Sequence, residues 1–279
     1  MSQAVAVNDA SLQAPLFEWR ELRSYHDFLA LMVWREMHMR YRHTLIGVGW
    51  SFLNPLMTMA VFGLIVPNLV SRQQLATYTH GVPYPLYVFC GLVPWNCFSH
   101  ALTRATTCLV DQSAVIRNVY FPRVVLPLAK VIAACADLLI ALAALLALMA
   151  VMRTVPSWKL IFLPLFLAPL LAAATGAGLV LCVLQLRYRD VFFLMQFLMQ
   201  MGLLVTPVWF PLEALPAGLR WAVACNPMTA VVQGFRWAAF DAPAPSLAVV
   251  TLSTAVSAAV LLAGLMFFRS RQEVIADYV

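Results

Sequence analysis

LIFLPLFLAPLLAAATGAGLVLCVLQL, residues 160–186, runs for 27 residues without Asp, Glu, Lys or Arg. About 20 apolar residues suffice to cross a bilayer as a helix, so this stretch marks the chain as a membrane protein. Working outward, residues 45–70, 73–103, 191–212 and 242–268 are equally free of those charges, and residues 131–152 carry only Asp137. With 63% hydrophobic and 11% charged residues and a mean hydropathy of +0.83, a water-soluble fold would expose far more apolar surface than a monomer tolerates.

The bilayer core holds no water to satisfy backbone polar groups, so each crossing is a helix or a strand of a closed barrel. These runs are too long and too uniformly apolar for alternating barrel strands. The expected fold is an all-α membrane protein of six transmembrane helices. Residues 1–24 form a flexible cytoplasmic tail, 25–270 the membrane domain, and 271–279 a second cytoplasmic tail.

The net charge of +6 does not indicate nucleic acid, because the basic residues follow topology rather than one polar face. Arg20, Arg23, Arg35, Arg40 and Arg42 precede the first run. Arg104, Arg117, Arg123 and Lys130 flank the second gap, Arg187 and Arg189 the fourth, and Arg269 and Arg271 follow the last. These regions hold most of the 18 positive charges. The excess of Lys and Arg on cytoplasmic loops then places both termini in the cytoplasm. Residues 1–44 show no removable signal peptide, so the first span is expected to start insertion. Cys90, Cys97, Cys108, Cys135, Cys182 and Cys225 are scattered without paired spacing and read as small buried hydrophobes.

Ser24 with Asp27 resembles a capping box opening a helix. Beyond it, Leu29, Met32, Val33, Met37 and Tyr41 share one side at helical spacing, while Arg35, His38 and Arg42 share another. This suits a helix in the cytoplasmic interface, its apolar side in lipid and its cations among phosphates; an amphipathic helix packed on protein has the same pattern. DQSAVIRNVYFPR, residues 111–123, predicts a brief cytoplasmic helix ending near Tyr120, since Pro122 biases its predecessor away from helix. It is either a docking knob or a connector. Between the last two runs, Pro207, Pro211, Pro216 and Pro227 punctuate a segment whose residues 221–235 are charge-free. That run is too short to cross and too apolar for a free loop, so a re-entrant helical pair is expected.

Chemistry is thinly supplied. His26, His38, His43, His80 and His100 are dispersed, and neither metalloprotease nor nucleophile-elbow motifs occur. This argues against a membrane-embedded acyl- or glycosyltransferase. Asp137 and His100 are the candidates for polarity inside the membrane, and helix-packing hydrogen bonds are their expected role over a proton relay. Asp137 alone speaks for an ion-coupled secondary transporter. A phosphate-binding loop ends in Gly-Lys-Ser/Thr, yet the lysines, Lys130 and Lys159, precede Val and Leu. If ATP drives transport, another chain hydrolyses it. Trp and Tyr anchor at bilayer boundaries, but their faces also stack on sugars. Tyr84, Tyr87, Trp95, Phe98, Trp209, Phe210 and Trp237 fall near the outer third and are candidates to line a sugar path.

Five blocks carry a resemblance: LMVWREMHMRYRHTLIGVGWSFLNPL at 31–56, GVPYPLYVFCGLVPWNCFSHAL at 81–102, IRNVYFPRVVLPLA at 116–129, LRYRDV at 186–191 and NPMTAVVQGFRWAAF at 226–240. Together they resemble the membrane permease of type-2 ABC exporters for polysaccharides, particularly O-antigen exporters, with teichoic-acid and capsule exporters as relatives. Capsule exporters match the second and third blocks less well, and exporters of drugs or small lipids less still. The resemblance implies a homodimer in the bacterial inner membrane, docked on two ATP-binding cassette subunits that hold ATP and Mg, with no cofactor in this chain. It implies a cytoplasmic coupling helix at 111–123, with Arg117, Tyr120, Phe121 and Arg123 against the ATPase, and re-entrant helices at 211–240 near a periplasmic gate. The cargo implied is a lipid-linked polysaccharide, whose headgroup phosphates are expected to meet Arg35, Arg40 and Arg42.

Overall fold

The computed structural model describes residues 25–41, 49–118 and 121–271, and these are helical with no strand among them. The Ser24 cap, Arg42, His43, Tyr120 and most of both expected tails lie outside the described residues.

Helix α1, His26–Tyr41, carries Phe28, Leu29, Met32 and Val33 against Cys108, Phe121, Val125 and Phe268. Leu29, Met32 and Val33 therefore pack on protein, which corrects the expectation that they lie in lipid, while Met37 of the same side stays exposed. An amphipathic helix buries its stripe against whatever apolar surface adjoins it. Here that surface is built by the starts and ends of other helices, and Phe28 and Phe121 meet with ring centroids 4.8 Å apart. Leu31, Trp34 and Met39 remain exposed. Glu36 accepts a 2.6 Å hydrogen bond from Lys130 in a partly buried ion pair that fastens α1 to a later long helix, Val125–Val151.

Helix α2, Gly49–Leu69, is apolar despite Pro55 and Pro67. A short helix α3, Arg72–Thr79, is capped by Ser71 and closed by left-handed His80, with Gly81 also at positive φ. The charge-free run 73–103 is thus not one span. Its polar start forms α3, the Gly81–Pro83 turn breaks it, and helix α4, Tyr84–Asp111, continues through Arg104. From Leu86 to Trp95, α4 is buried on every side and runs through the centre of the bundle.

Helix α5, Ser113–Asn118, is the brief helix expected there. Helix α6, Val125–Val151, and the segment Trp158–Arg187, comprising a 3₁₀ turn and helix α7, Leu163–Arg187, are each long and apolar enough to cross a membrane. Helix α11, Leu247–Ser270, is the third such helix. Residues 53–69 and helix α8, Val191–Val205, are shorter apolar helices. Helices α7 and α11 cross at Gly176 and Gly264, where a Cβ on Gly176 would strike the backbone of Val260 and Leu261, and one on Gly264 the backbone of Gly176. Small residues let two backbones approach this closely in a membrane.

Between α8 and α11 the chain makes a 3₁₀ turn at Leu212–Ala214, helix α9, Ala217–Ala224, and helix α10, Pro227–Phe240. At 1.5 Å per residue the two helices are only about 12 and 21 Å long. Their broken backbone is satisfied inside the protein. Asn226 caps α10 by accepting from Met228 N at 2.9 Å and donates to Thr206 Oγ1 at 2.9 Å. Ser253 of α11 donates to the carbonyls of Ala224 and Asn226, and Thr229 to that of Val223 at 2.6 Å.

Candidate functional site

The densest polar arrangement in this core centres on Arg236 of α10. The side chain is 4% exposed. Its Nη1 donates to Pro207 O at 2.8 Å, its Nη2 to Val208 O at 2.6 Å and its Nε to Tyr87 O at 3.4 Å. The guanidinium also lies 3.5 Å from the centroid of the Tyr87 ring, within cation–π range. One residue therefore ties α10 and α4 to the non-helical stretch after α8, and its planar fork suits that task. Beside it, an open pocket is lined by His80, Tyr87, Glu213, Gln233, Arg236 and Pro243.

The candidate path aromatics fall into three groups. Tyr84, Tyr87 and Trp209 gather around this hub: Tyr84 and Tyr87 stack at 6.4 Å, Tyr84 Oη donates to Trp209 O at 3.1 Å, and Trp209 stacks on Phe62 at 3.7 Å. Tyr84 and Tyr87 are buried, whereas Trp209 and the neighbouring Phe210 are half-buried. Trp95, buried, and Phe98, half-buried, form a separate pair at 5.8 Å, with Trp95 lying across Gly202. Trp237 joins Phe162 and Phe166 on a third patch. There Lys159 lies 5.2 Å from the Trp237 ring and pairs with Asp241. The hydrogen bonds from Lys159 and then Ser157 hold the Asp241 carboxyl below its usual pKa.

Toward the other end of α4, Asp137 of α6 is 6% exposed and lies 3.7 Å from His100 Nδ1 and 3.8 Å from Arg104 Nη1. The sequence singled out His100 and Asp137; Arg104, counted there as a loop charge, joins them because α4 runs on past it. Arg236 was missed altogether. Its one signal was a lone arginine beside a charge-free run.

On the segment expected to couple to an ATPase, Arg117 is exposed and Arg123 half-buried, while Phe121 is turned into the core beneath α1; Tyr120 is outside the described residues. Of the three expected headgroup contacts, Arg35 is half-buried on α1. Arg40 belongs to the same helix with its side chain undescribed, and Arg42 lies beyond it. Cys90, Cys97, Cys108 and Cys182 are buried, Cys135 is half-buried, and Cys225 is exposed.

The model of one family, ABC-2 type transporter, matches residues 28–240. The O-antigen export system permease protein RfbA of Myxococcus xanthus is 27% identical over 262 residues, covering 93% of this chain and 98% of that protein. Two proteins of the same description from Klebsiella pneumoniae are 23% and 25% identical over 207 residues, covering 74% of this chain and 77% of theirs.

Proposed function

From membership of the ABC-2 type transporter family, to which the chain belongs, we propose that it is the channel-forming subunit of an ATP-driven exporter for O-antigen. The observation that carries this reading is the near full-length likeness to an O-antigen export permease, on a bundle with three helices among the described residues fit to span a membrane. The cargo is a lipid-linked polysaccharide moved from cytoplasm to periplasm across the bacterial inner membrane. Two copies line the channel. ATP and Mg belong to two separate cassette subunits, in keeping with lysines that precede Val and Leu rather than Ser or Thr.

In this reading α2, α4, α6, α7, α8 and α11 are the six spans, with both termini cytoplasmic by the distribution of Arg and Lys. The pair α9 and α10 is re-entrant, its backbone covered by protein as the hydrocarbon region requires. Trp209, Phe210, Phe98 and Trp237 are the path aromatics with surface to offer a sugar. The segment around α5 docks the ATPase. Alanine at Tyr120 and Phe121 should uncouple it, lowering export and co-purification of the ATPase at least fivefold. Arg117→Glu, on an exposed side chain, should weaken the complex without the core cavity that Phe121→Ala leaves. Normal complex and normal export in both variants would overturn the docking assignment.

Arg35 and Arg40 of α1, with Arg42 next in sequence, meet the carrier's headgroup phosphates at the cytoplasmic mouth. Reversal of Arg35, Arg40 and Arg42 to Glu should cut surface polysaccharide by roughly tenfold, read by gel and immunoblot. Undiminished polysaccharide would refute that role.

A further inference from the structure

Beyond Trp95, α4 keeps one face partly open. Asn96, His100, Thr103, Arg104 and Thr107 are half-exposed and Asp111 exposed, while Cys97, Ala101, Leu102, Ala105, Cys108 and Leu109 between them are buried. At 100° per residue these six polar residues fall within an arc of about 100°, and at 1.5 Å per residue they extend over about 22 Å of helix. Thr107 Oγ1 donates to Asp111 Oδ2 at 2.8 Å, and Asp137 flanks the face from α6 beside His100 and Arg104. Polar and ionisable residues within spans turn to a water-filled cavity or the bundle interior, because hydrocarbon penalises them heavily. The partial exposure of these side chains means that the described helices cover this face only in part.

We propose that this polar stripe is the hydrated wall of the cargo's path toward the Asp111 end, and that it hydrogen-bonds the hydroxyls of an uncharged, polyhydroxylated chain. The assignment rests on the exporter reading. Asn96, Thr103 and Thr107 supply neutral donors and acceptors at intervals of about one to two turns. Arg104 stands beside Asp137, and Asp111 ends the row, so the wall presents no bare cationic patch to select an anion. Several weak and equivalent contacts let a chain enter and leave again, which conduction demands.

The test is water access in the full chain reconstituted in lipid vesicles. Cys225→Ser and Cys135→Ala remove the accessible native thiols, leaving the four buried ones in place. Thr103→Cys and Thr107→Cys are then compared with Leu139→Cys, on a 64% exposed apolar position of α6, using a charged methanethiosulfonate reagent and mass spectrometry. Labelling at 103 and 107 should run at least tenfold faster than at 139, and a lipid-linked glycan of uncharged sugars should slow it severalfold. Equal rates at all three positions would overturn the wall, and fast labelling unaffected by the glycan would overturn its recognition of the cargo. Labelling needs no transport, so the absence of ATP-driven export with the cassette partner bears on the exporter reading alone.

Discussion

Arg236→Met should leave a chain that inserts but melts early and exports little. The substitution keeps much of the apolar stem and removes the donors that satisfy Pro207 O and Val208 O at 2.8 and 2.6 Å, together with the longer contact to Tyr87 O. A buried carbonyl left without its partner costs about 1–3 kcal/mol, so losing the two short bonds amounts to roughly 2–6 kcal/mol. The carbonyls lie in the non-helical stretch after α8, where the backbone has no ladder to fall back on. Arg236→Lys should sit between the two, since one ammonium cannot reproduce a planar fork. Thermal unfolding in detergent, followed by tryptophan fluorescence, ranks the three proteins. A methionine variant as stable as the parent would show that those bonds carry no net stability.

Gly264→Leu should be as damaging by a different route. Any Cβ at Gly264 meets the backbone of Gly176, and one at Gly176 meets that of Val260 and Leu261. Backbone cannot swing aside as the end of a flexible side chain can, so α7 and α11 must separate along their crossing. Overpacking typically costs about 1–3 kcal/mol, and parting the two helices also forfeits close contacts that hold a membrane bundle together. Gly218→Ala is the control, because no atom lies within 4 Å of a Cβ built there. Size-exclusion chromatography of extracted protein should show aggregation for Gly264→Leu and a parental profile for Gly218→Ala. Parental behaviour of both would remove the crossing from the account.

The membrane character of the chain was legible from the sequence because hydropathy is a local property: 160–186 needs no neighbour to be read as apolar. Partners were not legible. The stripe Leu29, Met32 and Val33 has the same spacing whether lipid or Phe121 covers it, so α1 was assigned to lipid and is packed on protein. The charge-free run 73–103 hides the break at 80–83, which only Gly81 and Pro83 mark. Arg104 looked like a loop charge until α4 was seen to run to Asp111, which brings it to Asp137. Arg236 acts on carbonyls 28, 29 and 149 residues away, and carbonyls have no sequence signature. The glycines at 176 and 264 gain their meaning only from each other.

In the proposed function this chain owns the passage and borrows its power from a cassette ATPase. Its most direct test is reconstitution in proteoliposomes, with and without the candidate cassette ATPase, measuring translocation of a lipid-linked glycan. The expected result is translocation that requires both chains and ATP, and no hydrolysis by this chain alone. Glycan translocation by this chain without the ATPase, or ATP turnover by it in isolation, would overturn that division of labour.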